Sequence, residues 1–303
     1  MNLSFFSSSP LSLPLLEKLN TDFSVKLVIT HPDRPVGREQ FLTPSVFKTW
    51  AIKKNVPVLS PTTLKFPTSL ILVNKMRDLN IDLAIVIDYG LLIPRTVFTA
   101  PTLQTINIHF SLLPKYRGPY PDAFVILKGD KKTGISFVLI DEGFDTGDIL
   151  AQKEVAILSA ETAGDLHQRL YQETENIITY IIDYWAKYNT GIKNTQSLIT
   201  NHQLQLFLPP KKQDNKSATY TKKLIREDGF ISWEKLIEAS NSLYNFYRAL
   251  TPWPGMWTSL AKNNKRLKIL KAHLEKEKFA IDEVQLEGKK PVSWKQFYEA
   301  YKN

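Results

Sequence analysis

Cysteine is absent from this sequence of 303 residues, and long apolar runs are absent as well. Without cysteine the chain has no disulfide bond, no zinc site built from thiolates and no cysteine nucleophile. Because no run reaches about 18 apolar residues, we expect no membrane-spanning helix and no membrane partner. The segment MNLSFF leads at once into a first predicted strand. We therefore also expect no long transit peptide.

Positive charge is concentrated in the last third of the chain. The formal net charge is +9, and residues 201–303 hold 19 Lys and Arg against 11 Asp and Glu. Such a concentration favours a polyanion, for example a nucleic acid, as a partner. A solvated basic surface without such a partner has the same composition, so charge alone leaves both interpretations open.

Short β-rich runs alternate with helical stretches over residues 1–150. Several of these runs are apolar on both faces, as in a sheet covered by helices. The predicted strands are NLSFF, VKLVIT, IDLAIVID, TINIHF and GISFVLI, and the predicted helices are LPLLEKL, PSVFKTWAIKK and DAFVILKGD. The alternation predicts an α/β fold with a Rossmann-like, doubly wound and mostly parallel sheet, whose ligand binds at the carboxyl ends of the strands.

The rest of the chain predicts a second, smaller domain. Residues 162–188 have the apolar spacing of a long amphipathic helix, whereas residues 189–215 are polar, contain a Pro-Pro pair and predict a linker. A helical stretch and several short strands follow, which is typical of a small β-barrel. We therefore expect a first domain over 1–188, a linker over 189–215 and a second domain over 216–303.

A polar pair interrupts the apolar strand INIHF. Asn107 and His109 are two residues apart, so in a strand both side chains lie on one face, opposite Ile106 and Ile108. The acidic loop IDEGFDTGDIL follows the next predicted strand, and we expect it at the same edge of the sheet. The two strands should therefore deliver an amide, an imidazole and a carboxylate to one cleft.

This combination suits acyl transfer without a metal or a covalent intermediate. An imidazole held by a carboxylate is a base that works near neutral pH, and an amide N–H can donate to a developing oxyanion. The same side chains could instead bind a divalent cation, or serve only as turn and capping residues. Because the other histidines are scattered along the chain, we expect no metal site.

Several motifs resemble those of the methionyl-tRNA formyltransferase family, nearly from end to end of the chain. In the first domain the similar segments are THPDRPVGREQFLTPSVFK (30–48), DYGLLIP (88–94), INIHFSLLPKYRG (106–118) and GFDTGDIL (143–150). In the second domain they are ATYTKKLIREDGFISWEK (218–235), RALTPWPGMWT (248–258) and GKKPVSW (288–294). The Asn-x-His and Asp-loop motifs are typical of the wider group of 10-formyltetrahydrofolate transferases. The C-terminal motifs restrict the resemblance to the methionyl-tRNA formyltransferase family.

The resemblance implies formyl transfer from 10-formyltetrahydrofolate to the α-amino group of methionine on initiator tRNA. It implies that Asn107 stabilises the oxyanion and that His109 assists this polarisation and handles protons. It further implies that Asp145 orients His109 and shuttles protons through water, while Ser111 steadies the turn behind them. The folate is expected as a co-substrate rather than a tightly bound cofactor. The family further implies a monomer in the bacterial cytoplasm.

Binding residues follow from the same resemblance. The expected folate-binding residues are Tyr89, Gly90, Leu91, Leu92, Ser111, Leu112, Leu113, Pro114, Gly143 and Asp145. The resemblance makes the second domain an OB-like barrel that binds tRNA, which agrees with its positive charge. The expected tRNA-binding residues are Arg38, Lys48, Lys222, Lys223, Arg226, Lys265, Arg266 and Lys268.

The chain departs from the family pattern near the expected ligands. The departures are Ser7–Ser9 in place of Gly-Thr-Pro, Asp88 in place of a small residue, Glu39 and Gln40 in place of a Lys pair, and Pro119, Tyr120, Asp122 and Ala123 after the Arg-Gly pair. The main alternative is a sugar-nucleotide N-formyltransferase with the same folate donor. A glycinamide ribonucleotide formyltransferase, a hydrolase that releases formate and a non-catalytic nucleic-acid-binding protein are further alternatives.

Overall fold

The computed structural model describes residues 1–37, 39–191, 204–238, 241–260, 265–276 and 278–301. The chain divides into two compact units. The first comprises Met1–Arg117, Gly134–Val155 and Gln168–Thr219, and the second comprises Gly118–Thr133, Ala156–His167 and Tyr220–Asn303. Among the described residues, no helix has the length and apolar character needed to cross a membrane.

The strands and helices follow one another along the described chain. The strands are β1 (Asn2–Ser7), β2 (Ser24–Ile29), β3 (Arg34–Val36), β4 (Phe41–Thr43), β5 (Val58–Leu59), β6 (Leu83–Ile87), β7 (Thr105–His109), β8 (Lys132–Leu139), β9 (Ile149–Ala156), β10 (Leu204–Lys211), β11 (Met256–Ser259), β12 (Arg266–Glu275), β13 (Lys278–Leu286) and β14 (Val292–Ser293). The helices are α1 (Leu13–Asp22), α2 (Val46–Lys53), α3 (Thr68–Asp78), α4 (Arg95–Phe98), α5 (Pro121–Leu127), α6 (Ala163–Asn189), α7 (Trp233–Ile237), α8 (Asn241–Ala249) and α9 (Trp294–Tyr301).

One mixed sheet organises the first unit, in the order β10-β9-β8-β7-β6-β1-β2-β5. The pairs from β7 to β5 are parallel, and β8 runs antiparallel to β7. The central strand β1 buries Leu3, Phe5 and Phe6 completely, as expected of a strand covered on both faces. Strand order reverses between β1 and β6, so the carboxyl ends of these strands mark the expected ligand position.

The helix α6 is confirmed almost to the residue. It begins with reciprocal hydrogen bonds: the Asp165 N–H donates to Thr162 Oγ1 (3.2 Å), and the Thr162 N–H donates to an Asp165 carboxylate oxygen (3.0 Å). These bonds satisfy two amide donors that a helix start leaves without partners. Along the helix, the buried side chains recur at helical spacing: they include Ile178, Ile181, Ile182 and Trp185.

A small antiparallel sheet forms the centre of the second unit, in the order β11-β12-β13-β14. Leu267, Val284 and Leu286 on this sheet pack with Phe297 of α9 in one apolar cluster. The predicted fold class is therefore confirmed: a Rossmann-like, mostly parallel sheet is joined to a small antiparallel β-domain that includes the C-terminal residues. Three of the short strands predicted for the second domain correspond to β11, β12 and β13: GMWTSL, RLKILKAHL and EVQLEG.

The region predicted as a linker contains a strand. β10 pairs with β9 at the edge of the main sheet, and it includes Pro209 and Pro210. Because proline has no N–H to donate, a Pro-Pro pair in a sequence predicts the end of a strand. An edge strand tolerates the pair, since one side of it has no neighbouring strand to bond. Residues 192–203 of the same region lie outside the described residues.

Two segments that precede the predicted linker belong to the second unit, which the sequence pattern did not indicate. Residues 118–133 and 156–167 group with it, because α5 packs against α8 and the Arg248 guanidinium donates to the carbonyls of Leu158 (3.1 Å) and Glu161 (2.9 Å). The chain thus passes between the units more than once. The boundaries at 188 and 216 stay a prediction.

Candidate active site

A cleft of about 150 Å³ opens in the first unit beside β6, β7 and the loop that follows β8. It is lined by residues 89–93 after β6, by Asn107 of β7 and by residues 143–147 after β8. Of the residues expected to bind folate, the structure thus brings together Tyr89–Leu92, Gly143 and Asp145. Ser111–Pro114 do not line this cleft.

Ser111 and its neighbours form a turn behind β7. Ser111 is buried, and its hydroxyl donates to the carbonyl of Lys115 (2.6 Å). The Leu113 N–H donates to Ser136 Oγ (3.1 Å), which itself donates to the Ser111 carbonyl (2.6 Å). These bonds tie the turn to β8.

Asn107, His109 and Asp145 meet in the first unit. Asn107 Nδ2 donates to one carboxylate oxygen of Asp145 at 3.2 Å, and the other carboxylate oxygen lies 3.6 Å from His109 Nδ1. Asn107 and His109 therefore present their side chains to the same carboxylate, as the alternation along a strand predicted, while Ile106 and Ile108 are buried.

The acidic loop reaches these residues by a route that differs from the predicted one. Because β8 runs antiparallel to β7, its last residue Leu139 pairs with Ile106 near the start of β7. The expectation that both strands end at one edge is therefore wrong. The loop after β8 nevertheless places Asp145 within reach of Asn107 and His109, because it lies against β7.

The histidine is oriented from its other ring nitrogen. His109 is buried, and Nε2 lies 2.9 Å from the carbonyl oxygen of Tyr116. A carbonyl can only accept, so Nε2 carries the proton and donates to it. In the neutral ring Nδ1 then has its lone pair toward Asp145, and in the charged ring Nδ1 donates to that carboxylate.

A tight loop presents the Asp145 carboxylate. Asp145 has a left-handed backbone with φ of +56°, which aspartate tolerates better than most residues. Asp141 stabilises the loop by accepting from the Gly143 N–H (3.0 Å) and from the Thr146 hydroxyl (2.6 Å). At Gly147 a Cβ atom would lie 1.6 Å from the Leu139 carbonyl oxygen, so only glycine fits there.

Residues after β10 also contact this site, and the sequence reasoning missed them. Gln213 donates to the carbonyls of Asp145 and Gly147, both at 2.8 Å. Thr219 Oγ1 accepts from the Tyr116 N–H (2.8 Å), beside the carbonyl that orients His109. Polar side chains in a polar stretch carry no periodic signal, so no pattern singled them out.

Two departures from the family pattern have partners in the first unit. Tyr171 donates its hydroxyl to the Asp88 carboxylate at 2.5 Å, which accounts for an acid at a position where the family has a small residue. In the serine turn after β1, Ser12 Oγ donates to Ser7 Oγ (2.7 Å), and the Ser9 N–H also donates to Ser7 Oγ (3.2 Å). Hydroxyls thus stabilise a turn that the family builds with Gly-Thr-Pro.

Tyr89 differs from these polar residues because its hydroxyl is buried and has no hydrogen-bond partner among the described residues. Its ring packs edge-on against Phe6, with 5.4 Å between the ring centroids. Burial raises the pKa of Tyr89 well above the usual range of a phenol, so this side chain stays neutral.

The residues expected to bind tRNA differ in their exposure and in the ion pairs that they form. Lys48 is paired with Asp33 at 2.7 Å, and Lys222 is paired with Asp228. Lys223, Arg226, Lys265 and Lys268 are exposed. Arg38 lies outside the described residues.

Arg266 and Lys268 lie close together in the second unit, beside Glu287. Both lie on β12 and line a shallow depression with Gly288. The Arg266 guanidinium lies 4.5 Å from the ring centroid of Trp257, a cation–π contact that holds the charge in place.

No group of three or more histidine and acidic side chains with metal-binding geometry occurs among the described residues. Asn107 and Asp145 line the cleft, and His109 does not line it but contacts Asp145 from a buried position. Such a set can polarise a carbonyl and move a proton, as acyl transfer to an amine requires.

Comparison with protein families agrees with this chemistry. Residues 8–182 match the family described as "Formyl transferase", and residues 223–280 match "Formyl transferase, C-terminal domain". The fold and the site thus define a formyl transferase.

Curated relatives narrow the class. The chain is 34% identical over 270 residues to "Methionyl-tRNA formyltransferase" of Clostridium acetobutylicum, covering 89% of this chain and 79% of the relative. It is 30% identical to the protein of the same name from Clostridium novyi over an alignment of 321 positions. That alignment covers 98% of this chain and 96% of the relative. The chain therefore belongs to the methionyl-tRNA formyltransferase family.

Solved structures share the fold. "Methionyl-tRNA formyltransferase from Clostridium thermocellum" matches with a TM-score of 0.56 and 20% identity, covering 94% of this chain and 98% of that one. A sugar N-formyltransferase from a Shewanella species matches with a TM-score of 0.59 at 17% identity, covering 91% and 99%. HypX from Aquifex aeolicus, solved in complex with tetrahydrofolic acid, matches with a TM-score of 0.58 at 14% identity, covering 98% and 46%. At these identities the likeness concerns the fold alone. Because the relatives of 30% identity or more are methionyl-tRNA formyltransferases, the sugar-nucleotide alternative is not favoured.

Proposed function

We propose that this protein transfers the formyl group of 10-formyltetrahydrofolate to the α-amino group of methionine on initiator tRNA. The observation that carries the proposal is the meeting of Asn107, His109 and Asp145 beside β6 and β7. Asn107 and Asp145 line the cleft, and His109 contacts Asp145. Membership of the methionyl-tRNA formyltransferase family supports this choice of acceptor.

Asn107 acts on the formyl oxygen. The α-amino nitrogen attacks the formyl carbon, a C–N bond forms and the electron pair of the C=O bond moves to oxygen. One Asn107 N–H is directed to Asp145, and its second N–H donates to this oxyanion. Because Asp145 fixes the amide, the donor needs little reorganisation as charge develops.

Asp145 moves the proton, and His109 holds the Asp145 carboxyl group in place. The amine becomes positively charged as it attacks, and Asp145 accepts that proton directly or through a water molecule. When the tetrahedral intermediate collapses, the bond between the formyl carbon and N10 breaks and the proton passes to N10. The products are N-formylmethionyl-tRNA and tetrahydrofolate. His109 interacts with the Asp145 carboxylate throughout, because the Tyr116 carbonyl fixes its Nε2 side.

We place the folate site in the same cleft and the tRNA site on the basic residues of the second unit. Backbone groups of residues 89–92 and Gly143 would receive the pterin ring. The turn Ser111–Pro114 is tied to β8 and does not line the cleft, so we propose that it contributes to folate binding indirectly. In the second unit, Lys223, Arg226, Lys265, Arg266 and Lys268 would contact phosphates, which gives affinity but little sequence choice.

The acceptor also supports a location in the bacterial cytoplasm, where charged tRNA is used. We propose a monomer, which light scattering of the purified protein tests directly. A mass of 34.7 kDa in solution is the expected result, and twice that value would contradict it.

The experiment that tests the function is a formyl-transfer assay with 10-formyltetrahydrofolate and four acceptors: initiator Met-tRNA, elongator Met-tRNA, an aminosugar nucleotide and water. Asn107→Ala and His109→Ala serve as catalytic controls. We expect formylation of initiator Met-tRNA and a loss on the order of 10²–10³ in kcat for Asn107→Ala. Formylation of the aminosugar alone, or release of formate alone, would overturn the proposal.

A further inference from the structure

A buried guanidinium and a carboxamide lie behind the Asp145 loop in the first unit. Arg117 is only 1% exposed, although a charged group that leaves water needs well-placed acceptors. Its Nε and Nη2 donate to Gln213 Oε1 at 3.1 and 2.8 Å, and Nη2 also donates to Asn215 Oδ1 at 2.9 Å.

Gln213 extends this network to the Asp145 loop. Its Nε2 donates to the main-chain carbonyls of Asp145 and Gly147, both at 2.8 Å. A guanidinium only donates and a carbonyl only accepts. Only a side chain with an acceptor at one position and a donor at the other can bridge them, and a carboxamide meets that requirement.

The loop needs such support. Asp145 has a left-handed backbone, and its carboxylate must reach both Asn107 and His109. A small rotation of this residue would move its two carboxylate oxygens away from these partners together. Because Gln213 binds the Asp145 carbonyl itself, it opposes that rotation directly.

We infer that Gln213, with its amide oriented by Arg117, is the positioning residue that holds the Asp145 carboxylate against Asn107 and His109. This inference rests on the proposed function for its catalytic consequence. It assigns an active-site role to a segment after β10 that does not itself line the cleft.

The nearly isosteric substitution Gln213→Glu keeps the hydrogen bonds to Arg117 and removes those to the Asp145 loop. A glutamate keeps an acceptor, now charged, for Arg117, so the buried guanidinium stays paired and the protein folds. Its other oxygen then faces two carbonyl oxygens, and neither hydrogen bond to the loop can form. Gln213→Met removes both ends at similar size and should destabilise the protein more.

Asn2→Asp is the matched control. Asn2 Nδ2 also donates to two main-chain carbonyls, those of Leu79 (3.3 Å) and Asn80 (3.0 Å). It begins β1 and does not line the candidate active-site cleft. The chemical change is the same, but the Asp145 loop is not involved.

Two measurements are made on full-length wild type and variants: steady-state formyl transfer to Met-tRNA, and peptide-level amide hydrogen exchange over residues 143–148. We expect Gln213→Glu to lower kcat by about 10²-fold, since small misplacements of reacting groups cost that much, with the KM for tRNA within about threefold. We also expect faster exchange over 143–148 in Gln213→Glu and unchanged exchange and kcat in Asn2→Asp.

Unchanged exchange over 143–148 in Gln213→Glu would overturn the inference. Faster exchange with wild-type kcat would overturn it as well, because Asp145 would not then depend on this bridge for catalysis. If the wild type formylates no tRNA, the proposed function fails, and the exchange result alone decides whether Gln213 holds the loop.

Discussion

At the scale of single residues, hydrogen-bond partners explain the departures of this chain from its family at Asp88 and in the serine turn. Asp88 accepts from Tyr171, and Ser7 accepts from Ser12 and from the Ser9 N–H. Each of these departures therefore occurs with a neighbour that satisfies the new polar group. A buried polar group without a partner costs about 1–3 kcal/mol, so such pairing decides whether a substitution is tolerated.

Within the part of the chain that the structure describes, the Tyr89 hydroxyl is a buried polar group that lacks such pairing, and it gives a prediction. Because the Tyr89 hydroxyl is buried without a partner among the described residues, Tyr89→Phe should raise the free energy of unfolding by about 1 kcal/mol. The KM for the folate should change little, since backbone groups are proposed to receive the pterin. Urea denaturation and steady-state kinetics check both values. A large rise in KM would mean that the hydroxyl binds the folate.

At the scale of elements, side-chain hydrogen bonds link segments that are distant in sequence. Asp22, at the end of α1, accepts from Thr179 of α6 and pairs with Lys18 at 2.9 Å. The hydrogen bond from Thr179, followed by Lys18, lowers the pKa of Asp22 below its usual value. The ionised form is therefore favoured in the folded state.

This shift predicts how stability depends on pH. A folded-state pKa below the unfolded value of about 3.9 contributes stability above that pH, and the contribution is lost as pH falls through the lower folded value. Asp22→Asn should therefore be less stable than wild type at neutral pH, and the difference should shrink as the pH is lowered past the unfolded value. Urea titrations at neutral and acid pH measure it, with Thr179→Val as the matched variant. A pH-independent difference would contradict the prediction.

Arg248 links α8 to residues 158–161 in the second unit. It is buried, and it donates to the carbonyls of Leu158 and Glu161 and to Asn245 Oδ1 (2.7 Å). Burial lowers the pKa of Arg248, but the guanidinium remains charged because its ordinary pKa is so high.

Arg248→Met should lower the free energy of unfolding by about 3 kcal/mol, because several buried acceptors lose their donor. Arg248→Lys should lose part of that amount, since an ammonium cannot reproduce the planar arrangement of donors. Lys271→Met, at a surface pair with Glu283, serves as the control and should change little. Thermal and urea unfolding give the values. Equal losses for Arg248→Met and Lys271→Met would show that these bonds contribute nothing.

At the scale of the whole molecule, positive charge is proposed to contribute to the binding of tRNA. The net charge of +9 is concentrated after residue 200, yet the basic side chains are not equivalent. Lys222 is already paired with Asp228, whereas Arg266 and Lys268 lie together on β12, with Arg266 held against Trp257.

The salt dependence of tRNA binding should distinguish these residues. Replacing Arg266 and Lys268 by Met should reduce the slope of log K against log salt by about 0.7–0.9 for each phosphate that the variant no longer neutralises. Lys222→Met should alter the slope less, because its charge is already paired. Fluorescence titrations of tRNA at about 50 to 300 mM KCl provide the slopes. An equal change for both variants would contradict the assignment.

The sequence determined the alternation of strands and helices, the long helix α6 and the placement of Asn107 and His109 on one face. These features follow from local rules: apolar periodicity fixes which residues are buried, and the two-residue repeat of a strand fixes which side chains share a face. The sequence also indicated that the acidic loop meets this pair, although the direction of β8 could not be read from it, since strand direction depends on long-range pairing.

Only the tertiary structure decided which distant segments complete the site and the second unit. Gln213 and Thr219 contact the loops after β8 and β7, and residues 118–133 and 156–167 join the second unit. Their sequences are polar or short and carry no period that points to a partner. Hydrogen bonds between segments far apart in sequence depend on how the chain returns through space, and a local pattern contains no information about that return.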